Sequence, residues 1–252
     1  MITCEVCVEG LSGALAAAEG GAHRIELCAG LVEGGTTPSL GALGLALERV
    51  DVDIVVLVRP RGGDFLYSRD ELDSILMDVG AARGAGAFGV ATGALTPDGS
   101  VDVAAMEEIM DAAGSMSVTF HRAFDMVKDP WKSLEVLRDL GVDRVLTSGQ
   151  QRSVPEGLDF IREAVNRADG KISIMPGGGL DRDNVRAVVR TTGVKEVHFT
   201  AFRRWESPMR YRNLEPLMGA AEVPGEFDRI STDPSKVREI VHALGGAVAG
   251  PG

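Results

Sequence analysis

The feature that most constrains the fold of this chain is an eightfold alternation of short β-branched segments with longer segments of helical periodicity. Short apolar strands that alternate with helices are typical of βα units and a parallel sheet. Eight such units predict an α/β protein built as a single (β/α)8 TIM barrel, because about 250 residues is the usual size of that fold. A doubly wound open sheet shares the alternation, but no Gly-x-Gly-x-x-Gly follows the first strand. The predicted strands cover residues 2–9, 24–29, 53–59, 89–93, 117–123, 144–147, 171–175 and 196–200.

Local signals at the helix ends support the same division. Ser68 and Glu71 have the spacing of a capping box, and Asp129 and Asp233 each precede a proline at a predicted first helical position. Glycines that precede the even-numbered strands are expected to end helices in the left-handed conformation. These glycines are Gly21, Gly86, Gly141 and Gly193.

We therefore expect one domain over residues 1–252, with an irregular excursion at about 202–230 before the last helix. A connection of this length is unusual after a barrel strand. It is interpreted as a surface excursion, with a lid or an oligomer contact as the functional alternative.

Charge and composition restrict the partners. The formal net charge of −11 disfavours binding to nucleic acid or to an anionic membrane surface. No signal peptide or membrane-spanning run is apparent, and three cysteines are an odd number for a disulfide framework. These observations predict a cytoplasmic protein with reduced thiols, whose partners are small molecules or other protein chains.

Charged residues and thiols interrupt the first two strands with identical spacing. Glu5 and Cys7 share one face of the first strand, and Glu26 and Cys28 share one face of the second. If these faces point inward, two thiols and two carboxylates converge. Cys4 belongs to the opposite face of its strand.

Further polar residues follow the C-terminal ends of the strands, where the active sites of TIM barrels lie. Arg59 is expected to be the buried counter-charge of Glu5 and Glu26, and these three residues with His121 are expected to form one connected polar cluster. A structural ion-pair network without further function is the alternative.

These residues favour an enzyme that acts on a small anionic, or phosphorylated, substrate at the mouth of the barrel. In that hypothesis the catalytic candidates are His121 as general acid or base and Glu26 or Asp125 as the group that orients it. Consecutive glycines after the seventh strand could present backbone N–H groups to an anion, or could form only a tight turn. The candidate substrate-binding residues are Arg59, Arg61, Asp64, Thr147, Ser148, Gly177, Gly178 and His198.

The cysteines admit two interpretations. A buried free cysteine commonly packs as a small apolar residue. A pair of thiolates, by contrast, selects a soft ion such as Cu(I) over harder ions.

Distinctive motifs are spread over nearly the whole chain. They are Glu5-Val6-Cys7, Arg24-Ile25-Glu26-Leu27-Cys28, Glu33-Gly34-Gly35-Thr36-Thr37-Pro38-Ser39, Arg59-Pro60-Arg61-Gly62-Gly63-Asp64-Phe65, and residues 118–125, 146–150 and 175–179. Together these motifs resemble the CutC family of copper homeostasis proteins. The resemblance implies a (β/α)8 fold, a cytoplasmic location, a homo-oligomer, and a Cu(I) site formed by Cys7 and Cys28.

Two functions are therefore open: a Cu(I)-binding protein of copper handling and the barrel enzyme. A purely structural protein would leave the polar strand ends unexplained.

Overall fold

Eight parallel strands form the barrel that the sequence predicts. The computed structural model describes residues 2–216 and 225–245. The barrel strands are β1 (Thr3–Glu9), β2 (Arg24–Cys28), β3 (Asp53–Leu57), β4 (Gly89–Thr92), β5 (Ser117–Phe120), β6 (Arg144–Thr147), β7 (Ser173–Pro176) and β8 (Glu196–Phe199). Each strand from β1 to β6 pairs with the next, and β8 pairs with β1. A parallel bridge between Gly177 and His198 joins β7 to β8, so the sheet nearly closes.

The helices surround this sheet. They are α1 (Gly10–Glu19), α2 (Leu40–Arg49), α3 (Arg69–Ala85), α4 (Val103–Ala113), α5 (Pro130–Asp139), α6 (Leu158–Ala168), α7 (Val185–Thr192) and α8 (Pro234–Ala243). The Ser68–Glu71 capping box is present, and Asp129 and Asp233 both accept hydrogen bonds from first-turn amides. All four predicted helix-ending glycines have φ between 76° and 89°. The local signals for helix ends are therefore confirmed.

Side chains alternate between the two faces of each strand, so the buried residues fall into two groups, one between the sheet and the helices and one inside the barrel. Cys4, Val6 and Val8 point outward from β1 and are fully buried in the layer between sheet and helices. Cys7 and Cys28 point inward and pack in a separate small cluster inside the barrel. The prediction that Cys4 lies on the opposite face from Cys7 is confirmed.

Two predicted boundaries are wrong in a way that affects the site. β5 ends at Phe120, and residues Arg122–Met126 form a short 3-10 helix with His121 as its N-cap. The backbone N–H of Ala123 donates to Nδ1 of His121, which accounts locally for the turn away from the strand. β3 ends at Leu57, so Arg59 lies in the loop beyond the strand.

The excursion before the last helix is more regular than expected. It begins with β9 (Phe202–Glu206) and ends with β10 (Asp228–Thr232), which pair antiparallel. Residues 203–206 are exposed, consistent with a surface excursion. Residues 217–224 of this predicted excursion lie outside the described residues. None of the helices within 2–216 and 225–245 combines the length and the apolar character needed to span a bilayer.

Candidate functional site

A cavity of about 240 Å³ opens at the C-terminal ends of the barrel strands. Cys7, Glu26 and His198, from β1, β2 and β8, line its inner end, which we call the floor. The loops after β2, β3, β5 and β7, together with residues at the end of β8, supply the walls. A mixed polar and apolar cavity at this end of a barrel is where substrates bind in that fold. The walls contain Leu31, Gly34, Leu57, Arg59, Phe65, His121, Arg122, Leu146, Gly177, Gly178, Gly179, Leu180, Phe199 and Thr200.

Beneath the floor, a layer of buried ion pairs crosses the barrel near the N-terminal ends of the strands. This ion-pair layer consists of Glu5, Arg24, Arg144 and Glu196. Arg24 donates to the carboxylates of both Glu5 and Glu196, and Nε of Arg144 donates to Glu196 at 2.7 Å. The counter-charge of Glu5 is therefore Arg24, and the prediction that Arg59 has this role is wrong. Arg24 lies opposite Glu5 in the β1–β2 register, which places the guanidinium beside the carboxylate.

His198 connects the ion-pair layer to the floor. Its Nδ1 lies 2.8 Å from Oε1 of Glu5, and its Nε2 lies 3.6 Å from Oε2 of Glu26. Burial opposes ionisation of Glu5, but the hydrogen bond with His198 and the charge of Arg24 hold the pKa of Glu5 at about 2. Although burial lowers the pKa of His198, the Glu26 charge and the Glu5 hydrogen bond raise it above its usual value.

Burial raises the pKa of Glu26, and the nearby charge of Glu5 adds to that effect. His198 thus lies between the carboxylates of Glu5 and Glu26, a contact that was not predicted. The role of His198 in binding an anionic substrate stays a prediction.

The two inward cysteines meet. Their Sγ atoms are 3.8 Å apart, and Sγ of Cys28 donates to the carbonyl of Val8 at 3.1 Å. Cys7 lines the cavity, whereas Cys28 is fully buried beside it. The hydrogen bond with Cys28, burial, and the charge of Glu26 raise the pKa of Cys7 well above its ordinary value. Cys4 is separate, and burial raises its pKa to about 12.

Arg59 forms a second polar group at the cavity wall. Its guanidinium donates to the carbonyls of Glu33, Gly35 and Gly63, at 2.9, 3.0 and 2.7 Å. No carboxylate in the described parts of the chain pairs with it. The guanidinium carbon lies 5.0 Å from the centroid of the Phe65 ring. Arg59 is therefore a buried cation held only by neutral partners.

His121 lies on the other side of Phe65, with ring centroids 4.8 Å apart. Burial and the charge of Arg59 lower the pKa of His121 to about 3, so its imidazole is neutral at pH 7. Because Nδ1 accepts from Ala123, Nε2 carries the proton. The expected single cluster of Glu5, Glu26, Arg59 and His121 is thus wrong: among the described residues, no hydrogen bond or ion pair joins the last two to the carboxylates.

Buried side-chain nitrogen and oxygen atoms that lack a hydrogen-bond partner are concentrated around Arg59. Of four buried side-chain nitrogen or oxygen atoms without a hydrogen-bond partner in residues 2–216 and 225–245, three are Nε of Arg59, Oη of Tyr67 and Nε2 of His121. Burial raises the pKa of Tyr67 to about 12 against the opposing charge of Arg59, which lies near it. We call these three residues the mouth cluster. Buried polar atoms without a hydrogen-bond partner are rare in folded proteins.

Arg61 does not line the cavity, and its role in binding an anion stays a prediction. Its side chain is 37% exposed and pairs with Glu71 at 2.5 Å and with Asp64 at 3.1 Å. Asp64 is 73% exposed and is likewise absent from the cavity wall. Arg59 and Arg61 are therefore only two residues apart in the chain but have different surroundings.

Asp125 is also used structurally. It accepts from Thr147 Oγ1, from the hydroxyl and amide of Ser148, and from the amide of Gln150. These bonds fasten the 3-10 helix to the loop after β6, and they leave Asp125, Thr147 and Ser148 outside the cavity wall. Asp125 also accepts from Nε of Arg122 at 2.8 Å. Arg122 lines the cavity, and no role was predicted for it from the sequence.

The glycines after β7 allow neighbouring side chains to approach the backbone closely. A Cβ on Gly177 would lie 2.6 Å from Cδ1 of Leu146 and 3.1 Å from the His198 ring. Gly178 has φ of 113°, a region that favours glycine. Both residues line the cavity as expected, and Gly177 lets β7 approach the imidazole on β8.

Sequence reasoning missed the ion-pair layer beyond Glu5. A signal was present, because Arg24 precedes Glu26 by two residues and Glu196 precedes His198 by two, which places each pair on one strand face. It also missed Phe65, whose position between Arg59 and His121 depends on the path of the β3–α3 loop.

Comparisons with known proteins identify a family that the chain matches over most of its length. A model of the CutC family matches residues 2–203. A CutC family protein of Mesorhizobium japonicum is 48% identical over 239 residues, covering 95% of this chain and 93% of the relative. The copper homeostasis protein cutC homolog of Homo sapiens is 44% identical over 236 residues, covering 94% and 86%.

Solved structures give the same result for the fold. The CutC crystal structure from Streptococcus agalactiae superposes with a TM-score of 0.76 at 33% identity, covering 79% of this chain and 98% of that one. Phosphoribosylanthranilate isomerase of Thermotoga maritima has a TM-score of 0.57 at 14% identity, covering 98% and 100%, which is a likeness of fold alone.

Proposed function

The chain belongs to the CutC family of copper homeostasis proteins, and we propose that it binds Cu(I) in the cytoplasm through Cys7 and Cys28. The observation that carries this proposal is the separation of 3.8 Å between the two sulfurs. A metal–thiolate bond is about 2.3 Å for an ion such as Zn²⁺, so two sulfurs at this separation can both contact one ion. Soft thiolates favour Cu(I) over harder ions.

The surroundings of the sulfurs suit a cargo ion that enters from the cavity. Cys7 contacts the cavity, and Cys28 stands behind it among Val55, Leu57 and Ala91. Because burial and the Cys28 hydrogen bond keep the Cys7 thiol protonated, ion binding must displace its proton. Copper binding should therefore weaken as the pH falls.

The test is a competitive Cu(I) titration of the full chain against a chromophoric chelator under strict reduction. We expect Cys7→Ser and Cys28→Ser each to lower the affinity by at least roughly 100-fold, since loss of a ligand should exceed the 10–100-fold effect of outer-shell changes. Cys4→Ser is the matched control and should bind as the parent does. Parent-like binding by both inward variants would remove this proposal and leave the thiols as packing groups.

A second candidate function is an enzyme that acts on a small anionic substrate. The observation favouring it is the pair of Arg59 and His121 at the cavity wall, where a buried cation without a carboxylate partner lies near a buried imidazole nitrogen that has no hydrogen-bond partner. An anion would supply both charge and hydrogen-bond acceptors. Neutral His121 suits donation of a hydrogen bond from Nε2, and Glu26, whose pKa is raised, suits proton abstraction.

Thermal unfolding in inorganic phosphate and in small carboxylates tests this candidate, since a ligand that binds the folded state raises the midpoint. We expect stabilisation of the parent that is lost in Arg59→Met and reduced in Arg122→Ala, with Arg69→Ala, an exposed arginine outside the cavity wall, as the control. Equal stabilisation of all four proteins would remove the mouth cluster as the anion site.

The remaining parts of the proposal concern organisation. We propose that residues 1–252 act as one domain and that the protein is a homo-oligomer, as the family resemblance implies. Sedimentation equilibrium of the full chain measures the second point directly, and a monomer at all concentrations would exclude it.

A further inference from the structure

The floor of the cavity contains a donor set that differs from the cysteine pair. Ligand atoms of Cys7, Glu26 and His198 all lie within 4.8 Å of one another, and all three residues are buried. Thiolate, carboxylate and imidazole are the ligands that proteins use for Zn²⁺. We infer that Cys7, Glu26 and His198 bind a borderline divalent cation of the Zn²⁺ type, with one coordination position open to the cavity. This inference goes beyond the proposed Cu(I) binding, and because both sites use Cys7, they hold one ion at a time.

The distances are close to those of a bound state. Bonds of about 2.0–2.3 Å place the ligand atoms of a tetrahedral zinc site roughly 3.3–3.8 Å apart. Nε2 of His198 and Oε2 of Glu26 are already separated by 3.6 Å. The remaining approach is a side-chain adjustment of about 1 Å or less, inferred from the same bond lengths.

Outer groups orient the imidazole for this role. Nδ1 of His198 lies 2.8 Å from Glu5, which directs Nε2 toward Glu26. Arg24 in turn holds the Glu5 carboxylate. A carboxylate on the far nitrogen of a metal-binding histidine fixes the ring and its tautomer, and such partners are a regular part of zinc sites.

Charge favours a divalent ion over a monovalent one. In the ion-pair layer, two arginines offset two glutamates, so that layer contributes no net charge to the floor. A divalent ion with one thiolate, one carboxylate and a neutral imidazole is formally neutral. A buried site without net charge avoids the desolvation cost of an unpaired charge.

The open position faces the rest of the cavity. All three ligand residues line it, and Arg59 and Arg122 line its walls. Three protein ligands with a free fourth position are the arrangement of catalytic rather than structural zinc sites. Water or an oxygen of a small anion can occupy that position, where the ion would polarise it.

The test uses Co²⁺ as a spectroscopic substitute for Zn²⁺ on the full chain, after chelator treatment and reduction. We expect one Co²⁺ per chain, with the visible bands of a tetrahedral site and a sulfur-to-cobalt charge-transfer band, all removed by Zn²⁺. Cys7→Ser should lose the charge-transfer band. Glu26→Gln and His198→Gln should each weaken binding by at least roughly 100-fold, beyond the effect of an outer-shell change.

The controls separate this inference from the Cu(I) proposal. Cys28→Ser should keep the cobalt spectrum while losing Cu(I), and Cys4→Ser should keep both. His242→Gln changes an exposed histidine on α8 and is the matched control for His198→Gln. Glu5→Gln keeps all three ligands and should weaken Co²⁺ by about 10–100-fold, as loss of an orienting carboxylate does.

Three results would overturn the inference: a parent that takes up no Co²⁺, a charge-transfer band that survives in Cys7→Ser, or a band that is lost in Cys28→Ser. The last result would mean that the ion lies between the two sulfurs. Circular dichroism of each variant confirms folding, and if Cys7→Ser fails to fold, Glu5→Gln and Cys28→Ser still decide the outcome.

Discussion

The ion-pair layer and the mouth cluster lie in the same barrel, and both contain a buried arginine. They differ in the partners that their polar groups have. Arg24 meets two carboxylates, and each of those carboxylates has a further partner in His198 or Arg144. Arg59 meets only carbonyl groups, and its neighbours His121 and Tyr67 each retain an unpartnered atom. A saturated network supports the fold, whereas an unsaturated one at a cavity is available to a ligand.

We expect the largest loss of stability from a substitution in the ion-pair layer. Arg24→Met removes the shared partner of Glu5 and Glu196, and we expect a loss of about 3–5 kcal/mol in the free energy of unfolding. Urea denaturation measures it. Arg59→Met is the matched comparison and should lose less, about 1–3 kcal/mol, because it leaves no carboxylate unpaired. A larger loss from Arg59→Met than from Arg24→Met would contradict the division between the two regions.

A pH-dependent effect of intermediate size comes from His121 in the mouth cluster. In the unfolded chain the imidazole takes up a proton as the pH falls below about 6.5, whereas burial and Arg59 hold the pKa of the folded state at about 3. Protonation therefore favours unfolding. The stability that neutral His121 preserves is fully present above the unfolded pKa and is lost as the pH falls toward 3.

From these pKa values, the loss from pH 7 to pH 5 is about 2 kcal/mol. In urea denaturation at both pH values, His121→Gln should lose about 2 kcal/mol less than the parent over this interval. Taking the difference between the two proteins cancels the contributions of His198 and the carboxylates. Identical pH profiles would show that His121 is solvated in the folded protein.

We expect the smallest effect from Arg61, whose guanidinium lies over the Tyr67 ring but outside the cavity wall. Its pairs with Glu71 and Asp64 are solvent-screened, and such pairs contribute little to stability. Arg61→Ala should unfold at nearly the parent's urea midpoint, and any difference should shrink as salt is added. A salt-insensitive loss as large as that of Arg59→Met would place Arg61 in the buried group.

The barrel fold could be predicted from the sequence, as could the end of the barrel at which the candidate site lies. The alternation of strands and helices, the caps, and the positive-φ glycines depend on local chemistry, so residues near one another in the chain were sufficient to predict them. The period of two along a strand also separated Cys4 from Cys7 before any contact was known.

Tertiary structure alone decided which polar groups meet. Glu5 acquires Arg24 and His198 through the pairing of β1 with β2 and with β8, and 193 residues separate Glu5 from His198 in the chain. The path of the β3–α3 loop sends Arg59 into the cavity and Arg61 to Glu71. Strand periodicity fixes a side chain's face, but its charge partner depends on register, barrel closure and loop path, which are set by contacts between residues distant in the sequence.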